Sequence, residues 1–592
     1  MGCQRMYERR YNLLKSKFDE FLLPSLLTTM ANNICLFFDA LIVSFLIGYF
    51  NLAAIQVVVP TITFIDLICW AVGFGGSILM SSMKANYDDF KSNAYFTVSI
   101  VSLMAIAIII SILGLIFIDP IVGFLCSANM ESSTQLYPLV KDFLYFTIIG
   151  FPFMCYILGI SYFSRADGMP KLALIAVIIS NVVNIVMDFV YLKFFHMNIG
   201  GAALATLTGQ ILASIVISYY FFSNKRTIKL LSISKIKFNR FIAYLKDILI
   251  SGFPPASIQL FITLKLFIIN YMVQIVMGGV GLVAFSVCDN SSFLIYMFAI
   301  GISQTMAPIV SVYYQEEDYN GVRYTIKRAI KLGILSGGVL MAIFIIYPQS
   351  LLFLFNINNP ADIPVVIDSI RLFSLSFIGL VICFIIPYYA ESIGREKYAI
   401  WIAFIEGLIL PVGGSILLVP LIGFNGIWIA FLIAEISTII FMFIYSKYIE
   451  RKSNGEYSGF FLLKKQDEEN MLDLSVNADI NDIADLASQV LDYLKSMGIS
   501  DLTSVKVSLA IEEMLANIVK TNDDVGTMDI LIKIQSEHIL ISIKDQGVEF
   551  NPTVEKEGCE YDHIKILMSV ADKIDYARVL GLNSTVITIK NF

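Results

Sequence analysis

Residues 172–192 read LALIAVIISNVVNIVMDFVYL, a run of 21 residues with a single charged side chain, Asp188. A stretch of about 20 apolar residues is long enough to cross a bilayer as an α-helix. The chain of 592 residues is 57% hydrophobic and only 15% charged, whereas soluble proteins average about 25% charged residues. These features predict a polytopic, all-α membrane protein.

Apolar runs of this kind repeat along the chain until about residue 448, and we count twelve. Loops rich in Lys and Arg alternate with loops that offer only Lys193, and positive charge marks the cytoplasmic side of a membrane. We therefore expect a multi-pass protein of the cell (inner) membrane with both termini in the cytoplasm. The predicted spans are 21–47, 52–79, 94–118, 137–161, 171–194, 200–222, 247–277, 280–312, 329–356, 364–390, 398–421 and 424–446.

The membrane part contains an internal repeat at a shift of 230 residues. This shift places Pro24 on Pro254, Gly48 on Gly278, and LAAIQV (52–57) on LVAFSV (282–287). Six spans separate the copies, so the two halves keep the same orientation, as parallel repeats of transporters do. The predicted domains are a cytoplasmic N-terminus 1–20, a first six-helix lobe 21–222, a cytoplasmic loop 223–246, a second six-helix lobe 247–448, a linker 449–470 and a cytoplasmic domain 471–592.

Four polar residues in the first lobe form a candidate ion site. Counting about 1.5 Å per residue from the predicted outer helix ends puts Asp39, Asn184, Asp188 and Thr206 at a similar depth. A carboxylate in the hydrocarbon region is costly unless it is paired or solvated, and burial favours its protonated form. The four groups would suit a coupling proton or a dehydrated cation; alternatively, they only hydrogen-bond between helices. The shift pairs Asp39 with Ile269, which predicts coupling in one lobe only.

Further charges inside predicted spans could line a substrate cavity or pair with one another. They are Lys265, Asp289, Arg371, Glu406 and Glu435, together with Asp66. The eight Cys and three His show no paired spacing, so we expect neither disulfides nor a His/Cys metal site. The chain has no G-x-x-x-x-G-K-[ST] loop, which argues against primary ATP-driven transport.

The segment 471–592 has the composition of a soluble domain. It carries 20 Asp and Glu against 10 Lys and Arg, and this acidic balance argues against a nucleic-acid partner. Its pattern predicts a strand, an amphipathic helix, a second helix at 502–520, and two alternating strands at 528–535 and 538–545. The apolar positions of the first helix are Ile483, Leu486, Val490, Leu491 and Leu494.

Residues 15–450 resemble the multidrug and toxic compound extrusion (MATE) transporters. The resemblance rests on Pro24 and Asp39 in LLPSLLTTMANNICLFFDALIVSFLIG, on NVVNIVMD, RADGMPK (165–171) and GGAALAT (200–206), and on SGFPPASIQL (251–260) and GFNGIWIAFLIAE (423–435). It implies H⁺- or Na⁺-driven export of small organic, often cationic, compounds. It also implies that the first-lobe Asp, Asn, Asp and Thr bind the coupling ion and that Pro24 helps to bend the first helix. The stretches MKANYDDFK and YYQEEDYNGVRY depart from the family's glycine-containing motifs.

The C-terminal layout resembles the ATP-binding domain shared by histidine kinases, heat-shock protein 90 and anti-sigma-factor serine kinases, which implies an α+β sandwich. By this resemblance Asn517 would hold Mg²⁺ and Glu513 would be the general base. Asp545 would accept a hydrogen bond from the adenine amino group, and Gly547 would let the backbone approach the nucleotide. An amide oxygen is a suitable ligand for Mg²⁺, and a carboxylate one turn away can act as a base.

Two departures weaken the resemblance to a working kinase. The family's second glycine is Glu549 here, and the expected glycine-rich lid at 558–563 reads GCEYDH. A phosphate cradle needs glycines that leave the backbone N–H groups bare. We therefore expect weak or absent enzymatic activity and a regulatory role, with Mg-ATP or an anti-anti-sigma-like cytoplasmic protein as a partner.

The leading interpretation is a secondary active multidrug antiporter with a regulatory ATPase-like domain. One alternative is a flippase for lipid-linked precursors, which would favour a cationic cavity, with Lys265 and Arg371 as its candidates. The other alternative is a membrane sensor that signals through an anti-sigma-type serine kinase domain.

Overall fold

The computed structural model describes residues 8–85, 88–127, 130–167, 169–223, 226–232, 236–465, 470–521, 526–549, 551 and 563–591. The chain divides into two compact units. The helical unit comprises residues 25–303 and 330–443. The sheet unit comprises residues 1–24, 304–329 and 444–592, so it joins the C-terminal segment to two stretches from elsewhere in the chain.

Between residues 12 and 452 the described part of the chain is mostly helical. The helices of the first half are α1 (Asn12–Ile47), α2 (Asn51–Ile68), α3 (Gly75–Ala85), α4 (Asp89–Ile116), α5 (Ile118–Leu125), α6 (Met130–Ala166), α7 (Pro170–Asp188), α8 (Ile199–Ile217) and α9 (Tyr219–Phe222). Those of the second half are α10 (Phe238–Gln315), α11 (Tyr319–Ile346), α12 (Gln349–Leu354), α13 (Ile363–Ser374), α14 (Phe377–Ser392), α15 (Glu396–Phe404), α16 (Leu410–Ile422) and α17 (Asn425–Lys452). Short π-helical segments follow α2, α7 and α15, at Cys69–Phe74, Phe189–Phe194 and Ile405–Ile409.

The helices confirm a membrane-spanning all-α architecture. Within the described ranges, nine helices are long and apolar enough to cross a bilayer, or ten if α13 and α14, bent by 45°, form one span. One of the nine, α10, is 78 residues long and is broken at Gly278, so it contains two of the predicted spans. The first predicted span lies within α1. The count of twelve spans stays a prediction.

The two glycines that the repeat pairs both have a positive φ. Gly48 follows the end of α1 with a φ of 97°, and Gly278 breaks α10 with a φ of 62°. Glycine adopts positive φ without the steric penalty that a Cβ atom imposes. A glycine with positive φ therefore interrupts the helical backbone at both positions, which agrees with two parallel repeats.

Asp167 forms hydrogen bonds that connect three of the loop regions predicted to be basic and cytoplasmic. Asp167 accepts hydrogen bonds from Lys84 Nζ at 2.7 Å, from the backbone N of Thr227 at 3.0 Å and from the Tyr220 hydroxyl at 3.0 Å. These contacts place the three loops at one end of the helical unit, as the alternation of charged loops predicts.

The C-terminal part of the sheet unit has two layers. Its strands are β3 (Met471–Asn477), β4 (Thr527–Ile534), β5 (His538–Asp545), β6 (Lys573–Val579) and β7 (Leu582–Lys590), after a small hairpin of β1 (Tyr457–Ser458) and β2 (Leu463–Lys464). The five strands are antiparallel in the order β3-β4-β5-β7-β6. The helices are α18 (Ile480–Ser496), α19 (Asp501–Thr521) and α20 (His563–Val570).

One apolar core joins these helices to the sheet. Ile483, Leu486, Val490 and Leu494 of α18 are buried in it, while Leu491 is half-buried. The predicted order of one strand, two helices and two strands agrees with the observed elements. The kinase-like type of this domain stays a prediction.

Candidate functional site

Two carboxyl groups from distant parts of the sequence meet inside the helical unit. Asp188, fully buried at the end of α7, lies within hydrogen-bonding reach of Asp39 on α1. Across the described chain, neither oxygen of Asp188 accepts a hydrogen bond from an N–H or hydroxyl donor. An ionised carboxylate only accepts hydrogen bonds, so a bond between the two acids requires one of them to carry a proton. The pair is therefore suited to hold one proton or one cation.

The other two predicted residues complete the site. Asn184 also lies within reach of Asp39, and its Nδ2 donates to the Thr206 hydroxyl at 3.1 Å. The Thr206 hydroxyl in turn donates to the carbonyl of Ala202 at 3.2 Å. The structure thus brings together the four residues that depth counting selected, and their role in ion coupling stays a prediction.

A glycine allows α7 and α8 to approach each other beside the site. A Cβ atom at Gly209 of α8 would lie only 2.5 Å from the carbonyl oxygen of Ser180 on α7. Only a residue without a side chain fits at that spacing. Since Asn184 stands one turn beyond Ser180, this close approach helps to bring its amide to Thr206.

The helix geometry changes directly after Asp188. The α-helix ends at this residue and continues as the π-helical segment 189–194. Such segments insert an extra residue into a turn and are frequent at functional sites. Pro24 lies inside α1, exposed, and the helix continues through it although proline supplies no N–H group. The predicted helix-bending role of Pro24 stays a prediction.

The structure brings four of the six charged residues predicted inside spans into a second polar cluster. Lys265 Nζ lies 3.9 Å from Glu406 Oε1, and Glu406 lies beside the buried Glu435. Asp289 interacts with Lys265 and accepts a 3.5 Å hydrogen bond from Gln56. The lysine is therefore surrounded by acids, so this cluster does not form the cationic cavity that a flippase for lipid-linked precursors would favour.

Arg371 lies apart from that cluster. It is exposed on α13, and its Nε donates to the carbonyl of Ile345 at 3.3 Å. The two cations proposed for a cationic cavity thus have separate environments.

Asp545 stands at the end of β5, buried in the sheet unit. Its Oδ1 accepts hydrogen bonds from the backbone N of Gly547 at 2.7 Å and from Asn583 Nδ2 at 2.9 Å. A carboxylate offers about four lone-pair positions, so Asp545 can accept a further hydrogen bond, for example from an adenine amino group. Burial raises the pKa of Asp545, which the Asn583 and Gly547 hydrogen bonds oppose.

Sequence analysis missed two residues at this end of the sheet. Arg578 NH1 donates to Asn583 Oδ1 at 3.1 Å and to the carbonyl of Gly547 at 3.3 Å. Asn583 faces Asp545 because β5 and β7 pair in that register. A polar residue at the start of an apolar strand was the only local signal, and it did not indicate the partner.

Glu513 and Asn517 lie one turn apart on α19, whose apolar face packs into the core through residues such as Met514 and Ile518. The Asn517 side-chain oxygen accepts a 3.2 Å hydrogen bond from the Thr521 hydroxyl and keeps a second lone pair for a metal ion. Residues 558–562 of the expected lid lie outside the described residues.

Comparison with known proteins identifies the membrane part. The model of the MatE family matches residues 24–190 and 254–414, two ranges that begin at the prolines paired by the repeat. The multidrug export protein MepA from Staphylococcus haemolyticus is 22% identical over 449 residues, which are 74% of this chain and 95% of MepA. MepA from Staphylococcus aureus is 22% identical over 426 residues, which are 70% of this chain and 89% of MepA.

Solved structures show the same fold. An inward-facing multidrug resistance MATE family transporter of the MOP superfamily aligns with a TM-score of 0.64 and 19% identity, covering 72% of this chain and 95% of that one. A MOP superfamily transporter from Pyrococcus furiosus aligns with a TM-score of 0.59 and 19% identity, covering 75% of this chain and 97% of that one. The segment 471–592 lies outside both family-matched ranges, which together span more than half of the sequence. The chain belongs to the MATE family of multi-pass membrane transporters.

Proposed function

We propose that this protein is a secondary active exporter of small organic, often cationic, compounds, driven by an H⁺ or Na⁺ gradient across the cell membrane. Family membership and the MepA relatives, which are multidrug export proteins, support the substrate class. The observation that carries the ion coupling is the pair of half-buried Asp39 and buried Asp188, in which neither oxygen of Asp188 has a hydrogen-bond donor among the described residues.

The pair can couple an ion to transport because its charge depends on what it holds. Two ionised carboxylates in an apolar lobe repel each other and are poorly solvated, so a proton or cation stabilises the pair. The oxygens of Asn184 and Thr206 add neutral ligands. If the lobe exposes the pair to opposite sides in turn, loading on one side and release on the other links the ion gradient to the conformational cycle.

The test is efflux from reconstituted vesicles loaded with the fluorescent organic cation ethidium. We expect export when either a pH gradient or a Na⁺ gradient is imposed, and the effective gradient identifies the coupling ion. Asp39→Asn should remove export while the protein still inserts into the membrane. Ethidium export at the same rate with and without either gradient would contradict ion coupling at the pair, and so would wild-type export by Asp39→Asn.

For the C-terminal domain we propose a regulatory role with weak or absent enzymatic activity. Asp545 would hold the adenine amino group of Mg-ATP, and the Asn517 oxygen would bind the metal ion. Mg-ATP bound there would supply a transferable phosphoryl group, and Glu513 is the candidate base that would take the proton of the attacking hydroxyl group or water. The free lone pairs of Asp545 and Asn517 support this assignment.

Calorimetric titration of the full-length protein with Mg-ATP tests this assignment. We expect weak binding that Asp545→Ala removes, and Glu513→Ala should change little. Tight binding with ATP turnover that depends on Glu513 would instead show a working kinase or ATPase.

A further inference from the structure

Residues 8–10 extend the C-terminal sheet at its edge. Strand β3 is an edge strand of the five-stranded sheet. Glu8 pairs with Leu474 in an antiparallel bridge, and the backbone N of Arg9 donates to the carbonyl of Asp473 at 3.1 Å. An extended segment that adds to a free edge satisfies backbone groups that would otherwise be unpaired. The N-terminal segment therefore occupies part of that edge.

The guanidinium of Arg9 joins three acids from three parts of the chain. It lies 2.7 Å from Asp318, 3.0 Å from Asp529 and 3.2 Å from Asp473, and its side chain is 2% exposed. Arg9 also lies 5.0 Å from the ring centroid of Tyr11, within cation–π range. We call these four charged residues the Arg9 clasp: Arg9, Asp318, Asp473 and Asp529.

Every carboxyl oxygen of the clasp has a partner. Beside Arg9, Asp318 accepts from the backbone N of Gly321 at 2.9 Å, and Asp529 accepts from the Ser475 hydroxyl at 2.6 Å. The second oxygen of Asp473 accepts from Asn320 Nδ2 at 3.3 Å. Such complete pairing is what makes a buried cluster of charges tolerable.

Glu316, which lies with Asp318 in the turn between α10 and α11, also contacts the sheet. The carboxylate of Glu316 pairs with Lys544 of β5 and accepts from the Ser584 hydroxyl at 3.2 Å. The backbone carbonyl of Glu316 accepts from Lys533 Nζ of β4 at 2.9 Å. Residues 316–320 therefore contact the sheet through several charged and polar groups that are independent of Arg9.

We propose that the Arg9 clasp is an intramolecular brake, through which the C-terminal sheet holds the start of α1 to the turn between α10 and α11. Arg9 precedes the first predicted lobe, whereas Asp318 lies within the second. Helix α1, which carries Asp39, begins at Asn12, directly after the clasped segment. The brake rests on the proposed function, since alternating access requires the two lobes to move relative to each other.

The experiment compares Arg9→Ala with the wild-type full-length protein in lipid nanodiscs by hydrogen exchange. We expect about tenfold faster exchange in residues 471–477 and 12–16, because local opening sets the exchange rate. Residues 316–320 should show a smaller increase, because Glu316 still attaches them to the sheet. In ethidium efflux from vesicles, the same variant should run about twofold faster or more, because loop and domain closure often limits turnover.

Two further variants make the result specific. Arg10→Ala is the matched control, since Arg10 is exposed and contacts the sheet through its backbone N, 3.4 Å from the Ser475 hydroxyl. It should match the wild type. Arg9→Ala alone leaves three acids without their cation, so the triple variant R9A/D318N/D529N removes the clasp together with the charges of its two most buried acids and leaves Asp473 as the one remaining carboxyl group. It should retain the fold and still show faster exchange.

Unchanged exchange in the triple variant overturns the clasp, and so does acceleration that is confined to residues 8–11. Faster exchange with equal or slower efflux overturns the brake. If the wild type exports nothing under any gradient, the proposed transport function fails by itself, while the joint change in exchange at the three segments still decides whether Arg9 holds them together.

Discussion

The Asp39–Asp188 pair and the Arg9 clasp both contain buried acids, but the hydrogen-bonding needs of these acids are met differently. In the clasp, all six oxygens of three aspartates have donors, including one guanidinium. In the pair, both Asp188 oxygens lack a donor among the described residues. A fully paired cluster favours a single arrangement, whereas an unpaired acid is stabilised by whatever ion it can recruit. The paired acids of the clasp suit a stable attachment between segments of the chain. The unpaired Asp188 suits reversible binding of a proton or a cation.

The largest predicted difference in efflux is between two single Asp→Asn variants, one in the Asp39–Asp188 pair and one in the Arg9 clasp. Asp188→Asn removes an acid that the pair needs to hold its ion, so gradient-driven efflux should fall to the level of vesicles without the protein. Asp473→Asn leaves Arg9 with two acids and should keep efflux close to the wild-type rate. The measurement is ethidium efflux at equal amounts of inserted protein.

Equal losses in the two variants would break the comparison, because both acids would then serve the fold or both would serve transport. Correct insertion of Asp188→Asn, checked by its elution as a single species in detergent, separates loss of coupling from loss of structure.

A second prediction concerns the spacing of helices beside the pair. Gly209→Ala places a Cβ atom 2.5 Å from the Ser180 carbonyl oxygen, so α7 and α8 must separate. Overpacking of this kind costs about 1–3 kcal/mol. We expect reduced efflux and a lower melting temperature.

The matched control for that prediction is Gly413→Ala in α16. No atom lies within 4 Å of a Cβ added there. Because alanine favours a helix over glycine by roughly 0.5–1 kcal/mol, this variant should be as stable as the wild type or slightly more stable. Equal behaviour of the two alanine variants would show that the close approach of α7 and α8 does not position Asn184.

The pair could be found from the sequence, whereas the clasp could not. Apolar runs fix where a helix enters and leaves the membrane, and a rise of about 1.5 Å per residue then assigns each polar side chain a depth. This rule places Asp39, Asn184, Asp188 and Thr206 at a similar depth. The number of spans was harder to fix, because one described helix, α10, contains two of the predicted spans.

The contacts of Arg9 connect residues that are 309 to 520 positions apart in the chain. The local pattern of apolar and polar residues does not indicate which distant residues will contact one another. The neighbouring Arg9 and Arg10 indicate only a basic segment. Asn583 was missed for the same reason, since the register of β5 and β7 decides its neighbour.

A third prediction uses pH to adjust the clasp. Asp473 faces Arg9 and Tyr11 from the N-terminal segment, Asp318 from the turn, Asn320 from the start of α11, and Asp529 from β4. Burial raises the pKa of Asp473 to about 6, although Arg9 opposes the shift. Burial also acts to raise the pKa of Asp318, but Arg9 and Lys544 outweigh it, so the pKa of Asp318 is lowered and this acid stays ionised.

Because the pKa of Asp473 is raised on docking, its protonation favours the closed clasp. That stabilisation is complete below the ordinary pKa of aspartate and is lost as the pH rises through about 6. Between pH 7.5 and pH 5 the clasp should gain about 1 kcal/mol, seen as higher protection factors in residues 471–477. Asp473→Asn should remove this pH dependence. Protection that falls on acidification would mean that the clasp depends on an ionised Asp473.

The smallest predicted effect comes from single hydroxyl groups at the two sites. Thr206→Ala removes one neutral ligand beside the pair, while both carboxyl groups and Asn184 remain. A hydrogen bond of this kind contributes about 1 kcal/mol, so the ion concentration for half-maximal efflux should rise about fivefold with an unchanged maximal rate. Thr206→Ser keeps the hydroxyl and should resemble the wild type. Ser475→Ala, which deletes the 2.6 Å hydrogen bond to Asp529 in the clasp, should leave the half-maximal ion concentration unchanged, because that acid still has Arg9. If Thr206→Ala instead lowers only the maximal rate, Thr206 acts on the movement of α8 and not on the ion.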